Sequence, residues 1–259
     1  MRICVAQTDI VWEDKTANMR RYEALFSDAA SNGAELLIFP EMSLTGFTMD
    51  TSLAECYNGP TCAYFTEMAV KYRIAVVFGY AEQMDDLFFN RLVAVQNDGI
   101  VINSYSKMHP FSFGGESSFT GGNCAESFSL SGLIFGLTIC YDLRFPELYR
   151  HLSKNCACVI VSASWPASRR EHWITLLKAR AIENQCFIVG CNRTGNGGGI
   201  VYCGDSMVIA PDGAVIAYAD SGKQQLIYAD IYAYTVNDIR RDFPFFNDRR
   251  PDIYRNFYE

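Results

Sequence analysis

Three short strand-like runs in this chain, two of them apolar, each stop abruptly at a reactive side chain. Ala34-Glu35-Leu36-Leu37-Ile38-Phe39-Pro40 runs into Glu41, and Val101-Ile102-Asn103-Ser104-Tyr105-Ser106 into Lys107. Leu133-Ile134-Phe135-Gly136-Leu137-Thr138-Ile139 runs into Cys140. Runs of this length read as buried strands. Between them lie stretches of helical period, such as 18–31, where Met19, Tyr22, Leu25, Phe26 and Ala29 fall on one face. Strands alternating with helices give an α/β fold, whose ligand sites assemble at strand ends. A lone strand-end Glu or Lys reads as a solvated terminus. A carboxylate, an ammonium and a thiol together can divide one reaction between them.

The Cys140 segment alone leaves two readings open. Free cysteine is among the most buried residue types and usually only packs. A strand-to-helix elbow would instead expose the thiol beside backbone N–H groups, where cysteines become acidic and nucleophilic.

The remaining pattern extends the α/β alternation without a linker, repeat or low-complexity tract. Strands are expected at 2–8, 34–41, 74–80, 90–95, 100–105, 158–163, 187–192 and 225–231, with a pair around Asp212. Helices are expected at 18–31, closed by Gly33, at about 62–72, after Pro146, and at about 170–184. Asn97-Asp98-Gly99, Ser131-Gly132 and Pro211-Asp212-Gly213 mark hairpins.

Size and charge narrow the function. A chain of 259 residues suits one α/β domain over 1–259. A hydrophobic content of 49% with 18 Phe and 15 Tyr provides a core. A net charge of −7 without a basic tract argues against nucleic acid as a partner. Ten cysteines without CxxC spacing, most of them in apolar strands, imply reduced thiols rather than a disulfide scaffold. Cys156 and Cys158 are too close along one strand for a zinc pair, and His109, His151 and His172 form no ligand pattern, so no metal and no cofactor are expected. The opening strand carries no signal-like pattern, and no apolar stretch approaches the roughly 20 residues that span a bilayer. The expected setting is cytoplasmic, with no membrane partner.

Phe39-Pro40-Glu41, Lys107-Met108-His109-Pro110 and Cys140-Tyr141-Asp142-Leu143-Arg144-Phe145-Pro146-Glu147 resemble the three signature segments of the nitrilase superfamily of carbon–nitrogen hydrolases, in order and in spacing. The resemblance covers nearly the whole chain. It is strongest to the omega-amidase branch, on the Cys140–Pro146 segment, Ser164-Trp165-Pro166, 179–185, Cys191-Asn192-Arg193 and Gly204-Asp205-Ser206. The Trp-Glu-Asn that follows the cysteine in true nitrilases is absent, which argues against nitriles. The resemblance implies a four-layer α-β-β-α sandwich with its active site at one end.

It also implies a Glu41–Lys107–Cys140 catalytic triad. Amide hydrolysis needs a nucleophile, a proton carrier and charge stabilisation. Cys140 would form a thioester, Glu41 would act as general base, and Lys107 would stabilise the oxyanion with the Tyr141 N–H. Family members carry a second glutamate in the loop before the nucleophile, which matches Glu116 in Phe113-Gly114-Gly115-Glu116. Phe113, Tyr141, Arg144, Trp165 and Arg169 are candidates for substrate binding. An arginine fork suits a substrate carboxylate, although Arg144 could pair with Glu147 or Glu183, and Arg169 could be a solvated loop residue. Arg180 and Glu183 read as structural.

The expected substrate is the omega-amide of a small carboxylate, such as 2-oxoglutaramate or succinamate. The alternatives are an N-carbamoyl amino-acid amidohydrolase, a non-catalytic binding protein on the same scaffold, and a redox-sensing thiol, for which no resolving cysteine lies at motif spacing. The aromatic tail at about 242–259 would pack on its own domain or, as the resemblance suggests, on a partner in a homodimer.

Overall fold

The computed structural model describes residues 1–257. In chain order the main elements begin with β1 (Arg2–Gln7), α1 (Lys15–Ser31), β2 (Leu36–Ile38), α2 (Pro60–Tyr72), β3 (Ala75–Met84), β4 (Leu87–Val95) and β5 (Val101–Ser106). The second half follows with β6 (Ser127–Leu130), β7 (Leu133–Ile139), α3 (Pro146–Leu152), β8 (Cys158–Ala163), α4 (Arg170–Asn184) and β9 (Phe187–Asn192). Last come β10 (Thr194–Gly197), β11 (Ile200–Cys203), β12 (Met207–Ile209), β13 (Val215–Tyr218), β14 (Gln225–Asp230), α5 (Ala233–Asp242) and α6 (Pro251–Tyr254).

Two six-stranded sheets run in the orders β14-β1-β2-β3-β4-β5 and β13-β12-β9-β8-β7-β6. Side-chain alternation decides what each strand face covers. Ile3 and Val5 face the core between the sheets with Leu36, Ile38, Leu137, Ile139 and Ile160. Cys4 and Ala6 face the other way, under Tyr22 and Phe26 of α1 and Phe65 of α2. The second sheet repeats the arrangement, with Val159 and Val161 under Tyr149 of α3 and Trp173 and Leu177 of α4. The layers are therefore helix, sheet, sheet, helix, as the sequence implied. The strand pattern also repeats. Each sheet has three parallel strands joined through two helices, one antiparallel strand on one side and two on the other. No sequence repeat announces this, because side-chain identities diverged while the connectivity is shared.

Local signals explain the boundaries. α1 starts earlier than its apolar period because the Asp14 carboxylate caps it, accepting from the Ala17 N–H at 2.8 Å. It closes at Gly33, whose φ of +73° suits glycine. Ser131 and Gly132 both lie at positive φ and form the tight β6–β7 turn. Three elements escaped the sequence reading. β3 runs on to Met84 and turns at Asp85-Asp86 into β4. The glycine-rich stretch Thr194–Gly197 pairs with β11 as a hairpin. The polar helix α5 buries only Val236. All ten cysteines are free, and Cys156 and Cys186 sit just ahead of β8 and β9 rather than within them.

The aromatic tail packs partly on its own chain. Phe246 lies 4.8 Å from the Arg150 guanidinium, and the Gln185 amide donates to the Phe243 carbonyl at 2.8 Å. Phe243 and Phe257 stay exposed, and residues 258–259 lie outside the described residues. Among the described residues no helix is long and apolar enough to cross a membrane.

Candidate active site

Glu41, Lys107 and Cys140 meet just past the ends of β2, β5 and β7. The Lys107 ammonium donates to Glu41 Oε1 and to Glu116 Oε2, both at 2.8 Å, and all three side chains are shut off from solvent. Asn90 of β4 completes the network: its Nδ2 donates to Glu41 Oε1 at 2.8 Å and to Glu116 Oε1 at 2.7 Å. Main-chain N–H groups add a third bond to each carboxylate, with Ser164 reaching Glu41 Oε2 at 2.9 Å and Phe111 reaching Glu116 Oε2 at 2.6 Å. Each carboxylate thus accepts three hydrogen bonds, and two negative groups share one cation. The loop carboxylate Glu116 is built into the network rather than solvated.

Cys140 opens a short 3₁₀ turn, Cys140–Arg144, with φ at +44°. A non-glycine residue holds that conformation only when its surroundings enforce it. The buried Asp142 does so, accepting from the Ile139 N–H at 2.9 Å, the Tyr105 hydroxyl at 2.8 Å and the His109 N–H at 3.1 Å. These bonds tie the elbow to the segment that carries Lys107. Arg180 of α4 adds a further brace, donating to the Leu143 carbonyl at 2.8 Å.

The thiol is not the exposed, acidic kind that the sequence suggested. It is half-buried, and burial together with the Glu41 carboxylate pushes it well above its ordinary value, against the pull of Lys107 and the Ser164 N–H. Burial also raises the Glu41 carboxyl, which Lys107 and Asn90 counteract and Glu116 reinforces. Lys107 loses by burial but gains more from Glu41, Glu116 and Cys140, so it stays cationic. Burial and mutual charge thus push the Glu41 carboxyl and the Cys140 thiol in the same direction, so the titrations of the two groups are linked.

A pocket partly open to solvent lies over these groups, with Lys107 and Cys140 at its floor. Tyr141, Arg144, Trp165 and Arg169 line it. Phe113 does not. It stands 77% exposed, in edge contact with Phe111, and Phe111 takes the place on the wall. Phe47 and Tyr202 are further walls that sequence reasoning missed. Tyr202 comes from the unforeseen hairpin, and Phe47 from a loop without periodicity.

Arg144 pairs with neither Glu147 nor Glu183; Glu183 is taken by Arg180 at 2.8 Å. Instead Arg144 lies 4.7 Å from the Trp165 ring and 3.3 Å from His172 Nδ1. Arg169 lies 5.3 Å from the Phe111 ring. Among the described residues no carboxylate comes within 4.0 Å of either guanidinium, and no group of three or more His, Cys, Asp or Glu could hold a metal ion.

A two-sheet α-β-β-α sandwich with carboxylate, ammonium and thiol at its strand ends defines the class of carbon–nitrogen bond hydrolases. The sequence model of the carbon–nitrogen hydrolase family matches residues 2–241, and the chain belongs to that family, on its omega-amidase-like branch. It is 33% identical to omega-amidase YafV of Escherichia coli, over 96% of each chain. It is 32% identical to 2-oxoglutaramate amidase of Bacillus subtilis, over 97% of this chain and 98% of that one. The structure of a CN-hydrolase superfamily protein from Xanthomonas campestris, solved with an arsenic adduct in its active site, superposes with a TM-score of 0.91 at 31% identity, covering 96% of this chain and 97% of the other. The chain is an amide-hydrolysing enzyme.

Proposed function

We propose that this enzyme hydrolyses the omega-amide of a small carboxylate substrate, such as 2-oxoglutaramate or succinamate, to the acid and ammonia. One observation carries the reading: the pocket over Cys140 and its base is lined by two guanidiniums, Arg144 and Arg169, and among the described residues no carboxylate lies within 4.0 Å of either. A substrate carboxylate complements that positive charge, and a guanidinium fork suits a carboxylate. The omega-amidase and 2-oxoglutaramate amidase relatives support the same substrate class.

Cys140 Sγ attacks the amide carbonyl carbon while Glu41 takes the thiol proton. The oxyanion is held by Lys107 and by the Tyr141 N–H, which in the first turn of a 3₁₀ helix has no intrahelical acceptor. Collapse breaks the C–N bond, Glu41 returns the proton to the leaving nitrogen, and ammonia departs from a thioester. Water then gives a proton to Glu41 and attacks the thioester, and the thiol is restored as the acid leaves. Glu116 orients Lys107 throughout. The ten free thiols support a reducing, cytoplasmic setting, and the exposed Phe243 and Phe257 support a homodimer.

The test is to incubate the full chain with 2-oxoglutaramate, succinamate, glutamine and an N-carbamoyl amino acid, measuring ammonia and carbon dioxide. Ammonia alone, from the first two substrates, supports the reading. Carbon dioxide with ammonia from the carbamoyl substrate would replace it with an N-carbamoyl amidohydrolase, and silence on all four would refute it.

A further inference from the structure

We propose that Asn90 is a positioning residue for this reaction: it aims the Glu41 carboxylate at the thiol and, with Lys107, holds the negative charge of both glutamates. The inference rests on the reading of Glu41 as general base. Nothing in the sequence draws attention to an asparagine in the middle of β4.

The case starts from a hydrogen-bond account. Asn90 is 1% exposed, and both protons of its side-chain amide go to carboxylates, one to each glutamate. Its side-chain oxygen is buried without any partner. A scaffold asparagine would satisfy both ends of its amide. Turning the amide over would set that oxygen against two carboxylate oxygens, so the unmatched acceptor is the cost of serving the pair.

Lysine has three protons to give. Two of Lys107's go to Glu41 and Glu116, and Asn90 supplies a second donor to each, so the third ammonium proton is left for the reaction. The Asn90 carbonyl also accepts the Lys107 N–H at 2.9 Å, which locks the two residues together across β4 and β5. The charged and titratable groups facing Glu41 are Lys107 after β5, Glu116 from the loop, Cys140 after β7 and Tyr202 of β11. Asn90 is the neutral donor among them.

Asn90→Ala, Asn90→Ser and Asn90→Asp are compared with the natural chain in two assays across the acid range: ammonia release, giving kcat and KM, and alkylation of Cys140 by iodoacetamide. Loss of the donor destabilises ionised Glu41, so Glu41 holds its proton to higher pH. In Asn90→Ala the acid limb of kcat/KM and of alkylation moves up by about one pH unit. The kcat falls by about tenfold to a hundredfold, with KM near its natural value. Asn90→Asp, which adds a third carboxylate, moves the limb further. Asn90→Ser, with one donor for two acceptors, lies between the natural chain and Asn90→Ala, and it carries the test if the alanine variant does not fold. A fall in kcat with an unmoved limb would reduce Asn90 to scaffold, and an unchanged kcat would overturn the proposal outright. Alkylation needs no substrate, so it still tests Asn90 if no omega-amide releases ammonia. If Glu41→Gln leaves the alkylation profile unaltered, the general-base reading fails instead.

Discussion

The network beneath the pocket sets two buried carboxylates, Glu41 and Glu116, against one ammonium, Lys107, whereas the seam beside α4 sets one buried carboxylate, Asp205, against the Arg170 guanidinium, which also reaches the exposed Glu171 at 3.2 Å. The seam is closed. Arg170 grips both Asp205 oxygens at 2.8 Å, and the Tyr218 hydroxyl donates to the same carboxylate. The pocket is not closed. The pocket has a strained backbone at Cys140 and two arginines that, among the described residues, pair with no carboxylate, and the network beneath it holds an unpaired asparagine oxygen. Arg169 and Arg170 are adjacent in the chain, yet one faces the pocket and the other completes the seam. Matched charge braces the fold at the seam, and the unmatched charge beside the cavity is what supports the proposed site for a substrate carboxylate.

The contrast breaks most visibly at the nucleophile. Cys140→Ala is expected to lower ammonia release on the order of 10³-fold or more, with the thermal midpoint little changed. Retained turnover would move the chemistry away from this thiol. Next in size, Glu41→Gln should cut kcat by about 10²- to 10⁴-fold and erase the acid limb of the pH profile. Burial holds the natural Glu41 carboxyl above its usual range, so activity should fail on acidification at a pH above the ordinary glutamate value of about 4.3. An acid limb below that value would contradict the account of the buried base.

The pocket arginines come third. Arg144→Ala should raise KM for succinamate by about tenfold to a hundredfold, leaving kcat/KM for butanamide, which lacks the carboxylate, near its natural value. Equal losses on both substrates would make Arg144 a wall rather than an anion site.

Smallest is the seam. Asp205→Asn should cost about 1–2 kcal/mol of stability, read from denaturant unfolding, and leave kcat alone, since Arg170 is partly solvated. Burial acts to raise the Asp205 carboxyl, but Arg170 and Tyr218 more than offset it and hold it below its ordinary value. Its stabilisation is therefore present above the unfolded carboxyl value of about 3.9 and is lost as pH falls through the lower folded one. A variant that keeps its stability but loses turnover would reverse the two regions' roles.

What the sequence disclosed follows from the same physics. Glu41 and Cys140 stood out because each ends an apolar run, where a polar side chain breaks a pattern, and Lys107 because it closes a strand between them in sequence. Asn90 was hidden because a strand residue opposite Lys107 is identified only once β4 and β5 are in register. Phe111 and Phe113 were indistinguishable until the 3₁₀ turns at 112–118 turned one inward and the other out. The β10–β11 hairpin reads as a glycine-rich loop because Gly195, Gly197, Gly198 and Gly199 dominate its first half and turn, and Tyr202 in the short run Ile200–Cys203 was lost with it. The sequence left Cys140 open between a buried and an exposed, acidic thiol because burial and a neighbouring carboxylate are tertiary facts, while an elbow is a local one.

The most direct test is the ratio of kcat/KM for succinamate to that for butanamide in the natural chain. The two amides have the same chain length, and a methyl group in one replaces the carboxylate of the other. If Arg144 and Arg169 await a substrate carboxylate, the ratio should be on the order of 100 or more. A ratio near one would contradict that claim, because it would mean that the unmatched cations in the pocket do not read the substrate.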